Sequence, residues 1–195
     1  MESNKKILLH ACCGICSSYP ISYLQDMGYD VVVYFYNPNI YPKEEYQRRL
    51  DAEKILCSHF NCELIIGEYE PEIYYDYVKG YENEPEKGAR CDKCFELRLE
   101  AAAKLAKELN IEEFTTSMVI SPHKDYEKLT TIGNYIAEKY SLKYLSTNFR
   151  KNDGFLKTNQ ISKSLNLYRQ NYCGCKFANK KNNKISSICT MTEER

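Results

Sequence analysis

The sequence predicts an α/β protein built on a mostly parallel, doubly wound sheet. Three observations lead there. Apolar runs such as KILLHA and VVVYFY have strand length, amphipathic stretches of helical length alternate with them, and Gly, Pro and Asn punctuate the joins. At 195 residues the chain has the length of one domain with a full core, so a single α/β domain is expected over 1–195.

The elements follow in order. KILLHA is a buried first strand that runs into a cysteine cluster. SSYPISYLQDMG is a helix with Ser17 or Ser18 as its cap, Pro20 in its first turn and Gly28 as its stop. VVVYFY is the second strand, closed by the turn NPN. PKEEYQRRLDAEKILCSHF is a long amphipathic helix, and CELIIG gives the third strand. Residues 72–79 form a short helix before the polar loop GYENEPEKGAR. CFELRLEAAAKLAKELN is a strong helix and EFTTSM a fourth strand. Residues 126–140 are helical, KYLS is a fifth strand, and 158–166 a last helix. In such a sheet the site lies beyond the carboxyl ends of the strands. The loop at Cys12 and Cys13 and the loop Ser121 to Asp125 are therefore expected to share one rim.

MESNKKILLHACC holds no apolar run long enough for a signal peptide or a membrane span. A soluble, cytoplasmic protein with no membrane partner is expected. In that reducing compartment ten cysteines do not make a disulfide framework. Seven fall in three tight groups: Cys12, Cys13 and Cys16; Cys91 and Cys94; Cys173 and Cys175. Cys57 and Cys62 read as small core hydrophobes, and Cys189 in the polar tail has no assigned role.

A net charge of zero hides an asymmetry. Residues 1–149 carry 17 Lys and Arg against 24 Asp and Glu, a net of −7. Residues 150–184 carry nine basic residues against Asp153 alone, a net of +8, and the last eleven contribute −1. A basic segment within an otherwise acidic domain points to a polyanionic partner, although its run at 180–184 reads as a solvated tail. Tyr168 and Tyr172 interleave with Arg169 and the last cysteine pair, an arrangement suited to stacking unpaired bases.

The cysteine motifs carry the chemistry. HACCGIC puts adjacent thiols in a strand-to-helix turn, where a helix N-terminus stabilises thiolates, and Cys16 is close enough to join them. RCDKC is a C-x-x-C unit that can chelate a metal, ligate an iron–sulfur cluster or form a redox dithiol. Cys12, Cys13, Cys91 and Cys94 together suit either structural zinc or a [4Fe–4S] cluster. Convergence on the rim of a doubly wound sheet tips the choice toward the cluster. In YCGC, the two cysteines flank Gly174, which supplies backbone freedom. A bridge between such near neighbours would be strained and readily reduced, so the pair reads as a redox device or as extra metal ligands. Among the other polar residues, His10 reads as a satisfied core histidine and His59 as an exposed helix-end residue. His123 and Asp125, on the expected rim, are candidates for binding substrate or moving protons.

The segments HACCGIC, YFYNPNIYPKEEYQRR, ARCDKCFELRLEAAA, FTTSMVISPHKD, FRKNDGF and LYRQNYCGC, in order from about residue 7 to 178, resemble epoxyqueuosine reductases of the QueH type. The chain has CCGIC where that family commonly reads CCAPC, keeping all three thiols, and SPHKD where it reads SPYKN. The resemblance implies a fold similar to the nucleotide-hydrolase-like (HUP) fold of the tRNA thiolases. It also implies cobalamin-independent reduction of epoxyqueuosine at the tRNA wobble position, the last step of queuosine synthesis. Carried over by motif, Cys12, Cys13, Cys91 and Cys94 ligate a [4Fe–4S] cluster, and Cys173 and Cys175 form a redox-active pair beside it. The family also houses a second, mononuclear iron, for which Cys16 is a candidate ligand. The implied partners are tRNA carrying epoxyqueuosine and an external electron donor. Arg150, Lys151 and Arg169 are the candidate contacts to the RNA backbone. Two other readings compete. A tRNA thiolase would need a glycine- and serine-rich phosphate loop where HACCGIC stands. A zinc-stabilised RNA-binding module would be colourless when purified.

Overall fold

The computed structural model describes residues 5–178, so Cys189 and the basic run at 180–184 lie outside the described residues. Five parallel strands form one sheet in the order β3-β2-β1-β4-β5. They are β1 (Lys5–Ala11), β2 (Tyr29–Phe35), β3 (Glu63–Ile66), β4 (Glu113–Thr116) and β5 (Lys143–Tyr144). β1 is central: Leu8 pairs with Val32 on one side and Phe114 on the other. Its run Ile7, Leu8 and Leu9 is fully buried, as a strand covered on both faces requires. The helices are α1 (Gly14–Asp26), α2 (Lys43–Phe60), α3 (Pro71–Tyr77), α4 (Ala89–Glu108), α5 (Tyr126–Tyr140) and α6 (Gly154–Ser164). α1 packs with α2 and α6, and α4 packs with α5. Among the described residues, no helix is long and apolar enough to cross a membrane.

The expected alternation holds, with three corrections at element ends. α1 starts at Gly14 rather than after a serine cap, because Cys13 is the cap and its sulfur accepts from the Cys16 amide. Ser17 instead donates its hydroxyl to the Cys13 carbonyl and to the buried Glu53. Pro20 therefore lies inside the helix, where it has no N–H for the preceding turn. α4 begins at Ala89, so Cys91 and Cys94 both ride its first two turns. α6 begins at Gly154, four residues ahead of the expected start at 158.

The chain leaves β1 toward β2 in one direction and reaches β5 from β4 in the other. The order thus reverses between β1 and β4, and a crevice opens beyond their carboxyl ends. His10, the penultimate residue of β1, belongs to the core beneath it. It is fully buried, with its ring nitrogens 3.0 Å from Thr116 Oγ1 and 3.1 Å from the Tyr36 carbonyl. Burial pushes its pKa down to about 3, so the ring is neutral.

Candidate active site

Where β1 ends, the sulfurs of Cys12, Cys13 and Cys16 lie within 4.8 Å of one another. Three constraints bring them together. The strand delivers Cys12 and Cys13 side by side, the start of α1 turns Cys16 back over them, and Ser117 after β4 pins Cys12. The Cys12 amide donates to Ser117 Oγ at 3.1 Å, and that hydroxyl lies 3.5 Å from Cys12 Sγ. Hydrogen bonding with Cys13 and Cys16, helped by Arg98 and Ser117, holds the Cys12 thiol well below the ordinary range. Hydrogen bonding to Cys12, together with burial, pushes Cys13 and Cys16 up. Ionisation is thus favoured at Cys12 and opposed at Cys13 and Cys16, and a bound cation would favour it at all three.

A second group of thiols gathers opposite. Cys94 packs with Tyr74, Val78 and Cys175, and Cys173 lies against them. The Tyr74 hydroxyl is 3.1 Å from Cys175 Sγ. Lys124 donates its ammonium to Cys173 Sγ at 3.1 Å. Burial raises the Cys173 thiol, but the charge and hydrogen bond of Lys124, with the Cys175 amide, together outweigh it and bring the thiol below its usual value. Burial pushes Cys94 up to about 12, partly opposed by Arg98, whose guanidinium reaches Cys94 Sγ at 4.0 Å. Because Arg98 also stabilises the Cys12 thiolate, it couples the two thiol groups electrostatically. Cys173 and Cys175 are both free thiols, each facing its own partner.

The segment bearing Cys173 and Cys175 is docked by α2. Arg49, nearly buried, donates to the carbonyls of Tyr172 and Cys173 at 3.0 Å each and pairs with Glu45 at 2.7 Å. The Tyr41 amide donates to the Gly174 carbonyl at 2.8 Å. Gly174 has φ +88°, and a Cβ there would sit 2.9 Å from the Arg49 guanidinium, so a side chain at this position would strain the backbone and displace Arg49. Between the thiol groups lies a groove of about 540 Å³, bordered by Cys12, Cys16, Cys173, Arg49, Arg98 and Lys124.

The other candidate residues are distributed in and around the groove. His123 is exposed on the groove rim. Asp125 caps α5, its carboxylate accepting from the Lys128 amide. Arg150 donates to the carbonyls of Val119 and Lys124 at 2.7 Å each, so its guanidinium ties a loop. Tyr168 donates to Glu45 Oε2 at 2.7 Å beneath Arg48, and Arg169 donates to Asn159 and Ser162. Lys151 is exposed beside a second, smaller cavity lined by Tyr19, Tyr23 and Tyr126. Arg49, Arg98, Lys124 and Tyr74 were not legible as site residues. Arg49, Arg98 and Lys124 sit inside three of the characteristic segments, YFYNPNIYPKEEYQRR, ARCDKCFELRLEAAA and FTTSMVISPHKD, and that is the available signal.

A family model described as "Epoxyqueuosine reductase QueH" matches residues 7–181. The epoxyqueuosine reductase QueH of Streptococcus pyogenes is 39% identical over 180 residues, covering 89% of this chain and 70% of that one. The Thermotoga maritima protein of the same name is 37% identical over 175 residues, covering 88% and 89%. Among solved structures, the U34-tRNA thiolase NcsA from Methanococcus maripaludis, with its [4Fe-4S] cluster, aligns with TM-score 0.53 and 13% identity over 96% of this chain and 66% of that one. A predicted tRNA methyltransferase subunit from Methanocaldococcus jannaschii aligns with TM-score 0.54 and 15% identity, covering 79% and 76%. At such identities these two likenesses establish the fold. The match across nearly the whole sequence establishes more: the chain belongs to the epoxyqueuosine reductase QueH family.

Proposed function

We propose that the chain performs its family's reaction, the reduction of epoxyqueuosine in queuosine biosynthesis, in the groove between the two thiol groups, on a nucleoside carried at the wobble position of a tRNA. The family's members are oxidoreductases. Their reaction breaks both C–O bonds of an epoxide, forms a carbon–carbon double bond, consumes two electrons and two protons and releases water. An external donor supplies the electrons. The observation that carries the reading is the groove itself. Thiols from three separate sequence motifs border it or back it, together with buried cations, at the point where the strand order reverses.

The donors present fit an iron–sulfur group. They are soft thiolates, and the Cys12, Cys13 and Cys16 sulfurs already crowd together with only one favoured to ionise. In this proposal Cys12, Cys13, Cys91 and Cys94 hold a [4Fe–4S] cluster, and Cys16 remains as a donor for a second, mononuclear iron. When bound, the cluster supplies single electrons at low potential. The protein's own groups do the rest. The unpaired wobble base is splayed into the groove, away from bulk water. The Lys124 ammonium compensates negative charge on the departing oxygen. Cys173, its thiolate form favoured by Lys124, and Cys175, backed by Tyr74, form a dithiol that yields two electrons and two protons on closing to a disulfide, which the external donor then reduces again.

Anaerobic purification followed by iron and sulfide analysis tests the reading. The expected product is brown, and Cys91→Ser lowers iron and sulfide together. A colourless protein containing zinc alone, or full cluster content in Cys91→Ser, would overturn the assignment.

A further inference from the structure

Arg150 was expected on the RNA, yet its guanidinium faces inward. Its Nε donates to the Val119 carbonyl and its second nitrogen to the Lys124 carbonyl, both at 2.7 Å. Those carbonyls mark the two ends of the segment that carries Ser121, His123 and Lys124 along the groove. At the near end, the segment continues from the 3₁₀ turn Ser117–Ile120, whose first residue pins Cys12. At the far end, Lys124 places its ammonium 3.1 Å from Cys173 Sγ.

The base of Arg150 is equally fixed. Its amide donates to Asn148 Oδ1 at 3.2 Å, and the turn continues through Asn152 and Asp153, both at positive φ (53° and 60°). Gly154 closes that turn, and a Cβ on it would run into the Phe149 carbonyl oxygen. Two successive left-handed residues followed by an obligatory glycine make a stiff anchor, not a mobile phosphate-seeking arm. A planar fork with donors in fixed directions spans two carbonyls in a way that a single ammonium does not.

We infer that Arg150 is a positioning residue for the reaction: by clamping both ends of segment 119–124 it fixes the Lys124 ammonium against Cys173. This deepens the proposed function and rests on it for the role of Lys124, while the clamp itself rests on geometry alone. Without the clamp the segment loses its far tether. Lys124 then drifts from the thiol, although nothing that touches RNA has been removed.

The test separates a clamp from an RNA contact. In Arg150→Ala, single turnover of epoxyqueuosine-containing tRNA should fall by about a hundredfold, the loss associated with a misplaced catalytic group. The Kd for that tRNA should stay within about twofold, because no phosphate contact is lost. Alkylation of Cys173, followed by peptide mass spectrometry on the reduced protein, should slow, and added guanidinium ion should restore both rates in part. Arg150→Lys preserves the charge and the fold should Arg150→Ala not accumulate. It should show the same losses, because one ammonium cannot bridge both carbonyls. Weakened tRNA binding with unchanged Cys173 alkylation would overturn the inference and return Arg150 to the RNA surface. Unchanged turnover in Arg150→Ala would overturn it equally. If the unmodified protein fails to convert the tRNA, the functional reading fails, and the alkylation assay still decides whether Arg150 clamps.

Discussion

Arg49 offers the sharpest quantitative handle on how the cysteine pair is held. Its side chain is 5% exposed and that of its partner Glu45 is 0% exposed. The variant Arg49→Met keeps the aliphatic stem and removes the ion pair and both bonds to the carbonyls of Tyr172 and Cys173. Breaking a buried pair by removing one partner costs about 3–5 kcal/mol. Here Glu45 is not orphaned, because Arg48 at 2.9 Å and Tyr168 at 2.7 Å still donate to it. That places the loss near the lower bound, about 3 kcal/mol, or roughly 6–12 °C in Tm for a chain of this size. Arg49→Lys should regain part of the pair but not the two-carbonyl clamp. Denaturant unfolding gives the stability, and alkylation of Cys173 and Cys175 reports the docking of their segment, which should loosen in step. A loss below about 1 kcal/mol, the worth of one ordinary hydrogen bond, would refute the claim that Arg49 anchors this segment.

Further outcomes are expected. Cys173→Ser and Cys175→Ser should each spare iron content and tRNA binding yet abolish epoxide reduction, whereas a merely structural pair would lower Tm and leave turnover per folded molecule near normal. The Cys173 thiol is depressed in the folded protein, so its thiolate form is favoured below the ordinary cysteine range and is lost only as pH falls through that lowered value. Lys124→Met should therefore move the pH profile of Cys173 alkylation upward, and an unmoved profile would remove Lys124 as the cause. Burial raises Glu53 to about 8, with the Cys12 charge adding to it. A carboxyl raised on folding favours the folded state at low pH, and that advantage drains away as pH climbs from the ordinary carboxyl value through about 8. Glu53→Gln should flatten this decline in urea titrations at successive pH values, and an unchanged decline would place its origin in another group.

Periodicity and composition made the sheet legible. Runs such as VVVYFY alternate with amphipathic helices, and that alternation dictates parallel strands. The thiols were legible for a similar reason, since their spacing is local: C-C-x-x-C at one helix start, C-x-x-C at another, and C-G-C on a loop. What escaped the sequence is long-range burial. Nothing local separates Arg49, which is buried, from Arg48 beside it, whose side chain is 56% exposed. Lys124 was hidden by its neighbours, because His123 and Asp125 looked chemically richer, yet one is exposed and the other caps a helix. Arg150, Tyr168 and Arg169 were read from charge and aromaticity toward RNA. Each also satisfies an acceptor within the protein, a contact that charge and aromaticity alone do not reveal. Cys13 replaced the expected serine cap because sulfur also accepts from a helix amide.

The central claim, that the groove between the two thiol groups removes the epoxide oxygen, is tested most directly by anaerobic single turnover. The iron-loaded protein, prereduced, is mixed with tRNA carrying epoxyqueuosine, and the nucleoside is then analysed by mass spectrometry. The account predicts loss of one oxygen atom per nucleoside with the protein's Cys173 and Cys175 intact, and retention of that oxygen when either is serine. Retention by the unsubstituted, reduced, iron-loaded protein, or full conversion by both serine variants, would contradict it.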